Sequence, residues 1–125
     1  MKEETEYAFR QLKDALIKLR EGAEKAEDEL DKDGVIQRFE FTFELLWKAL
    51  KIFLEDSGIE AKTPKESLKQ AFRIGWLRED TVFLDMLKDR NMTSHIYDKE
   101  TSEEIFERIK ATYLLAMEGV LERLK

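Results

Sequence analysis

Residues 33–58 read DGVIQRFEFTFELLWKALKIFLEDSG, and wound at helical spacing this stretch is apolar on two sides. Ile36, Phe39, Phe43, Leu46, Leu50 and Phe53 recur in steps of three and four, which places them along one face of an α-helix. Phe41, Leu45, Ala49 and Ile52 form a second apolar line, roughly opposite the first at about 100° of rotation per residue. A surface helix carries one apolar stripe. A helix with two is either central in its own bundle or shared with a second chain.

Outward from this helix, the flanking segments supply its neighbours. On the N-terminal side Phe9, Leu12, Leu16, Leu19, Ala23, Ala26 and Leu30 repeat in a heptad-like alternation, predicting a first helix from about Glu3 to Leu30 with Gly22 as a soft spot. Asp31-Lys32-Asp33-Gly34 has turn chemistry and an Asp to cap the second helix, so the two long helices are expected to run antiparallel. On the C-terminal side the helix is expected to stop near Ser57-Gly58. Thr63-Pro64-Lys65-Glu66 then reads as a cap, a proline at the first helical position and a capping-box glutamate, opening a short helix to about Ile74. Asp80 is the expected cap of the next helix, whose inner face is Val82, Phe83, Met86 and Leu87. Thr101-Ser102-Glu103-Glu104 opens the last, carrying Phe106, Ile109, Tyr113, Ala116 or Met117, Val120 and Leu124 inward. There is no strand pattern and no repeat. Residues 1–125 therefore read as a single all-α domain, an up-and-down antiparallel four-helix bundle with an additional short helix.

Composition agrees. Charged residues make up 40% of the chain with both signs interspersed, while five Gly and one Pro are few, as in long solvated helices. The absence of cysteine excludes disulfides and thiolate metal sites. The apolar runs are too short for a membrane span, and MKEETEYAFR lacks the apolar block of a signal peptide, so a soluble cytoplasmic protein is expected. A net charge of −6 argues against coating nucleic acid by bulk electrostatics, though not against a local basic site.

The chemistry-bearing segment is Arg90-Asn91-Met92-Thr93-Ser94-His95-Ile96-Tyr97-Asp98, polar and aperiodic between two helices, with the chain's one histidine. Histidine moves protons near neutral pH, and arginine offers a planar fork that fits phosphate. Together they are the minimum for metal-free phosphodiester cleavage, with Arg holding transition-state charge and His transferring a proton. A plainer reading needs no joint role. Five residues along an unbroken helix turn about 140°, so the pair would face apart. Arg90 would then serve the terminal carbonyls of a helix ending at Asn91, with His95 merely solvated.

This segment resembles the Arg-x4-His signature of the HEPN superfamily, including a polar residue after the Arg, here Asn91, and a His-x-Tyr extension, His95-Ile96-Tyr97. DGVIQRFEFTFELLWK is similar to the second-helix pattern of the nucleotidyltransferase substrate-binding family within that superfamily. Order of motifs, helical plan and length agree over essentially the whole chain. The resemblance implies a HEPN-like bundle, usually a homodimer, with the Arg-His motif near a cleft at or beside the dimer interface. It also implies a partner, a small separately encoded minimal nucleotidyltransferase, with nucleotide or RNA as possible ligand and no cofactor. Some relatives are RNase toxins, silenced in some cases by AMP transfer to the tyrosine. By that likeness Arg90 anchors phosphate, Asn91 supports it, His95 is acid or base, and Tyr97 is the acceptor hydroxyl.

On the second helix Gln37, Glu40, Glu44, Lys48 and Lys51 form a polar stripe between the apolar faces. Either Glu44 and Lys48 make an i,i+4 ion pair on a solvated face, or the stripe lines a groove for a substrate or the partner. A metal at Glu40 and Glu44 is not expected, because no second carboxylate pair or His at helical metal spacing accompanies them. Trp47 and Trp76 read as packing residues. Lys62, Lys65, Lys69 and Arg73 give the short third helix a basic edge, a solvated face first and a guide for RNA or an acidic partner second.

Overall fold

A computed structural model describes residues 2–93 and 98–125, and among these every regular element is helical. Helix α1 spans Glu3–Lys25, with three glutamates in its first turn favouring the positive end of the helix dipole. It buries Leu12, Leu16, Leu19 and Ala23, as the heptad reading requires. The predicted extension to Leu30 is wrong. The chain leaves the helix at Ala26, and Asp28 caps α2, Glu29–Asp56, by accepting a hydrogen bond from the Asp31 backbone N–H at 2.8 Å. Asp31 answers by accepting from the Glu27 N–H at 3.0 Å, a reciprocal arrangement that satisfies two otherwise orphaned donors. Cap chemistry three residues upstream thus wins over the Asp-Gly turn signal. Leu30, the last position of the predicted heptad seam, lies 79% exposed on the first turn of α2.

Helix α2 ends as expected. Gly58 adopts φ +84°, and the Ile59 N–H returns to the Leu54 carbonyl at 2.8 Å, closing the helix in a conformation that costs a Cβ-bearing residue more. Helix α3, Pro64–Arg73, starts on the predicted box, with the Thr63 hydroxyl accepting from the Glu66 N–H at 3.1 Å and Glu66 accepting from the Lys62 N–H. Helix α4 is Asp80–Thr93, with Asp80 its first residue rather than a residue preceding it. Helix α5, Lys99–Arg108, is capped by Asp98, three residues before the predicted Thr101 start. It continues through a π-helical turn, Ile109–Tyr113, into α6, Leu114–Leu124.

Helices α1, α2, α4 and the α5–α6 rod form the four-helix bundle, and α3 is the short addition, packed against α2 and α4. One apolar cluster draws side chains from every helix. Helix α2 touches α1, α3, α4 and α5, so its central place is real. Its first apolar line is wholly interior, from Phe39, Phe43, Leu46 and Leu50 at 0% exposure to Phe53 at 8%. The second line divides. Ala49 is buried within the chain's own bundle, Leu45 and Ile52 are half-buried, and Phe41 is 60% exposed. Helix α1 packs closely on α2 at Gly22, where an added Cβ would lie 3.0 Å from Arg38 Nη1, which donates to the Lys18 carbonyl at 2.7 Å, and 3.4 Å from Val35 Cγ2.

Candidate functional site

The last turn of α4 carries three consecutive polar residues held by different partners. Asp89 continues the Val82, Met86 spacing and so points inward, where it is 5% exposed. Its carboxylate accepts two hydrogen bonds from the Arg108 guanidinium, at 2.8 and 3.0 Å, and one from the Tyr113 hydroxyl at 2.5 Å. Burial, then the bond to Asp89, pushes the Tyr113 hydroxyl well above the ordinary tyrosine range, while Asp89 raises the Arg108 guanidinium. Phe39 of α2 stacks on Tyr113 at 5.5 Å between ring centroids. The buried carboxylate is thereby paired and fully engaged, which such a group requires.

Arg90 turns the other way, toward α2, and pairs with Glu44. Both side chains keep 28% of their surface exposed. The second Glu44 oxygen accepts from the Trp47 indole N–H at 2.8 Å, and Arg90 Nη1 donates to the Asn91 side-chain oxygen at 3.1 Å. The Thr93 hydroxyl donates to the Arg90 carbonyl at 2.7 Å, satisfying one of the open carbonyls at the end of α4. Arg90 and Asn91 therefore belong to a helix that runs to Thr93, which corrects the expectation of irregular chain over residues 90–93 and that of a helix ending at Asn91. His95 and Tyr97, the other two predicted site residues, lie outside the described residues.

Of the predicted stripe on α2, Glu44 alone is joined to Arg90, and the i,i+4 pairing of Glu44 with Lys48 is replaced by this long-range pair. Gln37 and Lys48 are exposed. Glu40 lines a separate cleft of about 280 Å³ together with Glu29, Asp33, Thr93, Asp98 and Lys99. Four carboxylates against one ammonium make that cleft unfavourable to anions. The backbone N–H and then the hydroxyl of Thr101, both donating to Asp98, hold its carboxyl below the usual range. On the far side of the same turn, Asn91 and Met92 join Leu84, Leu87, Lys65 and Lys88 around an apolar, lysine-rimmed groove of about 530 Å³. Trp47 and Trp76 are half-buried against the core, as packing residues, and Trp76 meets Phe53 edge to face at 6.0 Å.

Asp89, Arg108 and Tyr113 are not singled out by sequence reasoning as site residues. One signal is available: an aspartate at an inward position of an otherwise apolar helix face.

A sequence profile of the family described as nucleotidyltransferase substrate binding protein like matches residues 7–125. The chain is 32% identical over 97 residues to a Haemophilus influenzae protein named probable ribonuclease HepT, a match covering 74% of this chain and 66% of that relative. The chain thus spans a little under two thirds of that relative's length. A crystal structure of a Thermus thermophilus protein superposes with a TM-score of 0.85 at 39% identity, covering 91% of this chain and 98% of the other. A second solved structure, from Haemophilus influenzae and described as revealing the fold of a substrate binding domain of a nucleotidyltransferase, gives 0.71 at 27% identity, covering 96% of each chain.

Proposed function

Because this chain belongs to the nucleotidyltransferase substrate binding protein like family, we propose that it is the substrate-binding subunit of a separately encoded minimal nucleotidyltransferase. The pair would be of the HEPN and nucleotidyltransferase toxin-antitoxin type. The observation that carries this reading is the Arg90 and Glu44 pair, which joins the two stretches of the resemblance, the second-helix pattern and the Arg-x4-His segment, at one half-exposed spot. In the proposed roles Arg90 anchors a phosphate of a nucleotide or RNA and Asn91 steadies the guanidinium. His95 moves a proton, and Tyr97 offers the acceptor hydroxyl. The chain works as a homodimer, for which exposed Phe41 with half-buried Leu45 and Ile52 supplies a partly covered apolar flank.

Co-expression with a short nucleotidyltransferase from the same genome tests the partner. A stable complex of defined mass supports it; two proteins that migrate separately at micromolar concentration end it.

A second reading is a metal-independent endoribonuclease, favoured by the ribonuclease name of a relative 32% identical. Under it, purified protein cleaves RNA in the presence of EDTA, and His95→Ala abolishes cleavage without altering the oligomeric state. An AMP adduct on Tyr97 after incubation with the transferase and ATP would mark the regulated form.

A further inference from the structure

We propose that Glu44 is an internal competitor for the anion site at Arg90, a carboxylate seated where the phosphate oxygens of a ligand must bind. The inference rests on the reading that Arg90 takes phosphate, and it adds what regulates that site. A carboxylate and a phosphate present the same feature to a guanidinium, two acceptor oxygens spaced for parallel N–H donors. In this chain one nitrogen of the Arg90 guanidinium, Nη2, already meets a carboxylate oxygen contributed by α2, and the other, Nη1, donates to Asn91 at 3.1 Å. Glu44 is not loosely placed. Its other oxygen is anchored by the Trp47 indole at 2.8 Å, three residues along the same helix, so the acid is aimed rather than swept through solvent. Arg90 is fixed from behind as well, because the neighbouring Asp89 is locked to Arg108 and Tyr113.

Two consequences follow from displacement. A ligand must hold the guanidinium better than the carboxylate it replaces, so a phosphate monoester with its second charge, or a strand whose successive phosphates act together, is admitted and a lone carboxylate metabolite is turned away. The displaced Glu44 retains its indole hydrogen bond, which leaves the acid beside the bound phosphate and keeps affinity low until another contact offsets the repulsion. The ligand class is a phosphate ester, and its source is either a mononucleotide or the backbone of single-stranded RNA.

The test is titration of the purified full chain with AMP in one arm and with a short single-stranded RNA lacking a terminal phosphate in the other. Glu44→Gln preserves the volume and an acceptor for Trp47 while removing the competing charge. Binding in at least one arm should tighten about tenfold, a shift of roughly 1.4 kcal/mol. The gain should vanish in the Glu44→Gln, Arg90→Gln double variant. Tightening with AMP alone identifies a mononucleotide site; tightening with RNA alone identifies the backbone. Unchanged or weaker binding by a folded Glu44→Gln chain overturns the inference and makes Glu44 a positioning residue for Arg90. No binding in either arm by either protein overturns it too. Complex formation with the nucleotidyltransferase is scored separately, so the subunit reading can survive or fall without deciding this one.

Discussion

Asp89 and Arg90 are adjacent in sequence and opposite in fate, one interior and the other half in solvent. Their partners explain the difference: Asp89 meets a guanidinium and a phenol that satisfy its lone pairs, whereas Arg90 meets one carboxylate at the rim. Tyr113→Phe removes one donor from Asp89 and leaves the Arg108 fork in place. Chemical denaturation should show a loss of about 1.5–3 kcal/mol, the size of a hydrogen bond to a charged group. Asp89→Ala leaves both donors unpaired and should cost more than Tyr113→Phe; the reverse order would show that Asp89 is not the node.

The elements are set by their ends. Asp28, Thr63 and Asp98 each accept a backbone N–H three residues on, and each defines a helix start. Asp28→Ala should destabilise by about 1 kcal/mol and raise amide exchange in the first turn of α2. Asp98 adds a pH dependence. Its folded pKa is lowered, so the stability it contributes is present above the unfolded aspartate pKa, about 3.9, and is lost as pH falls through the lower folded value. The melting temperature of Asp98→Asn should therefore fall less steeply than that of the parent chain between neutral and strongly acid pH. Identical slopes would show that the Thr101 bonds do not persist in solution. The π-helical turn lies where Tyr113 reaches Asp89 and stacks on Phe39, and its extra residue per turn is absorbed without losing the inward set Ile109, Met117, Val120 and Leu124.

Across the whole molecule, α2 connects core, site and surface. Leu50→Ala should cost about 2–5 kcal/mol, because the residue is fully buried among neighbours that can close the cavity only in part. Phe41→Glu is a different experiment on the same helix. With 60% of its surface exposed, Phe41 contributes little to the monomer, and its replacement should leave the melting temperature nearly unchanged. If the flank joins two copies, light scattering should show the parent chain at twice 14.8 kDa and the variant at the single-chain mass.

The helical plan is legible because it rests on local rules. Spacing of Leu12 to Ala23, of Ile36 to Phe53 and of Phe106 to Leu124 specifies which faces are apolar whatever packs on them, and Thr63-Pro64 and Gly58 mark ends through their own backbone preferences. The boundary between α1 and α2 is easily misplaced, because a heptad carried past Ala23 looks the same whether or not Asp28 has capped the next helix. Arg90 and Asn91 can be picked out by residue chemistry, while Glu44 and Lys48 make an equally good helical pair on paper. Which cation Glu44 holds depends on α4 returning alongside α2, a contact between residues 44 and 90 that no local pattern encodes. The Asp89, Arg108 and Tyr113 cluster is decided the same way, since a buried carboxylate is tolerable only where folding brings its donors to it. Periodicity and caps determine the elements because they act within a few residues; the charge pairs that shape the site belong to the tertiary structure because their energies exist only once the helices have met.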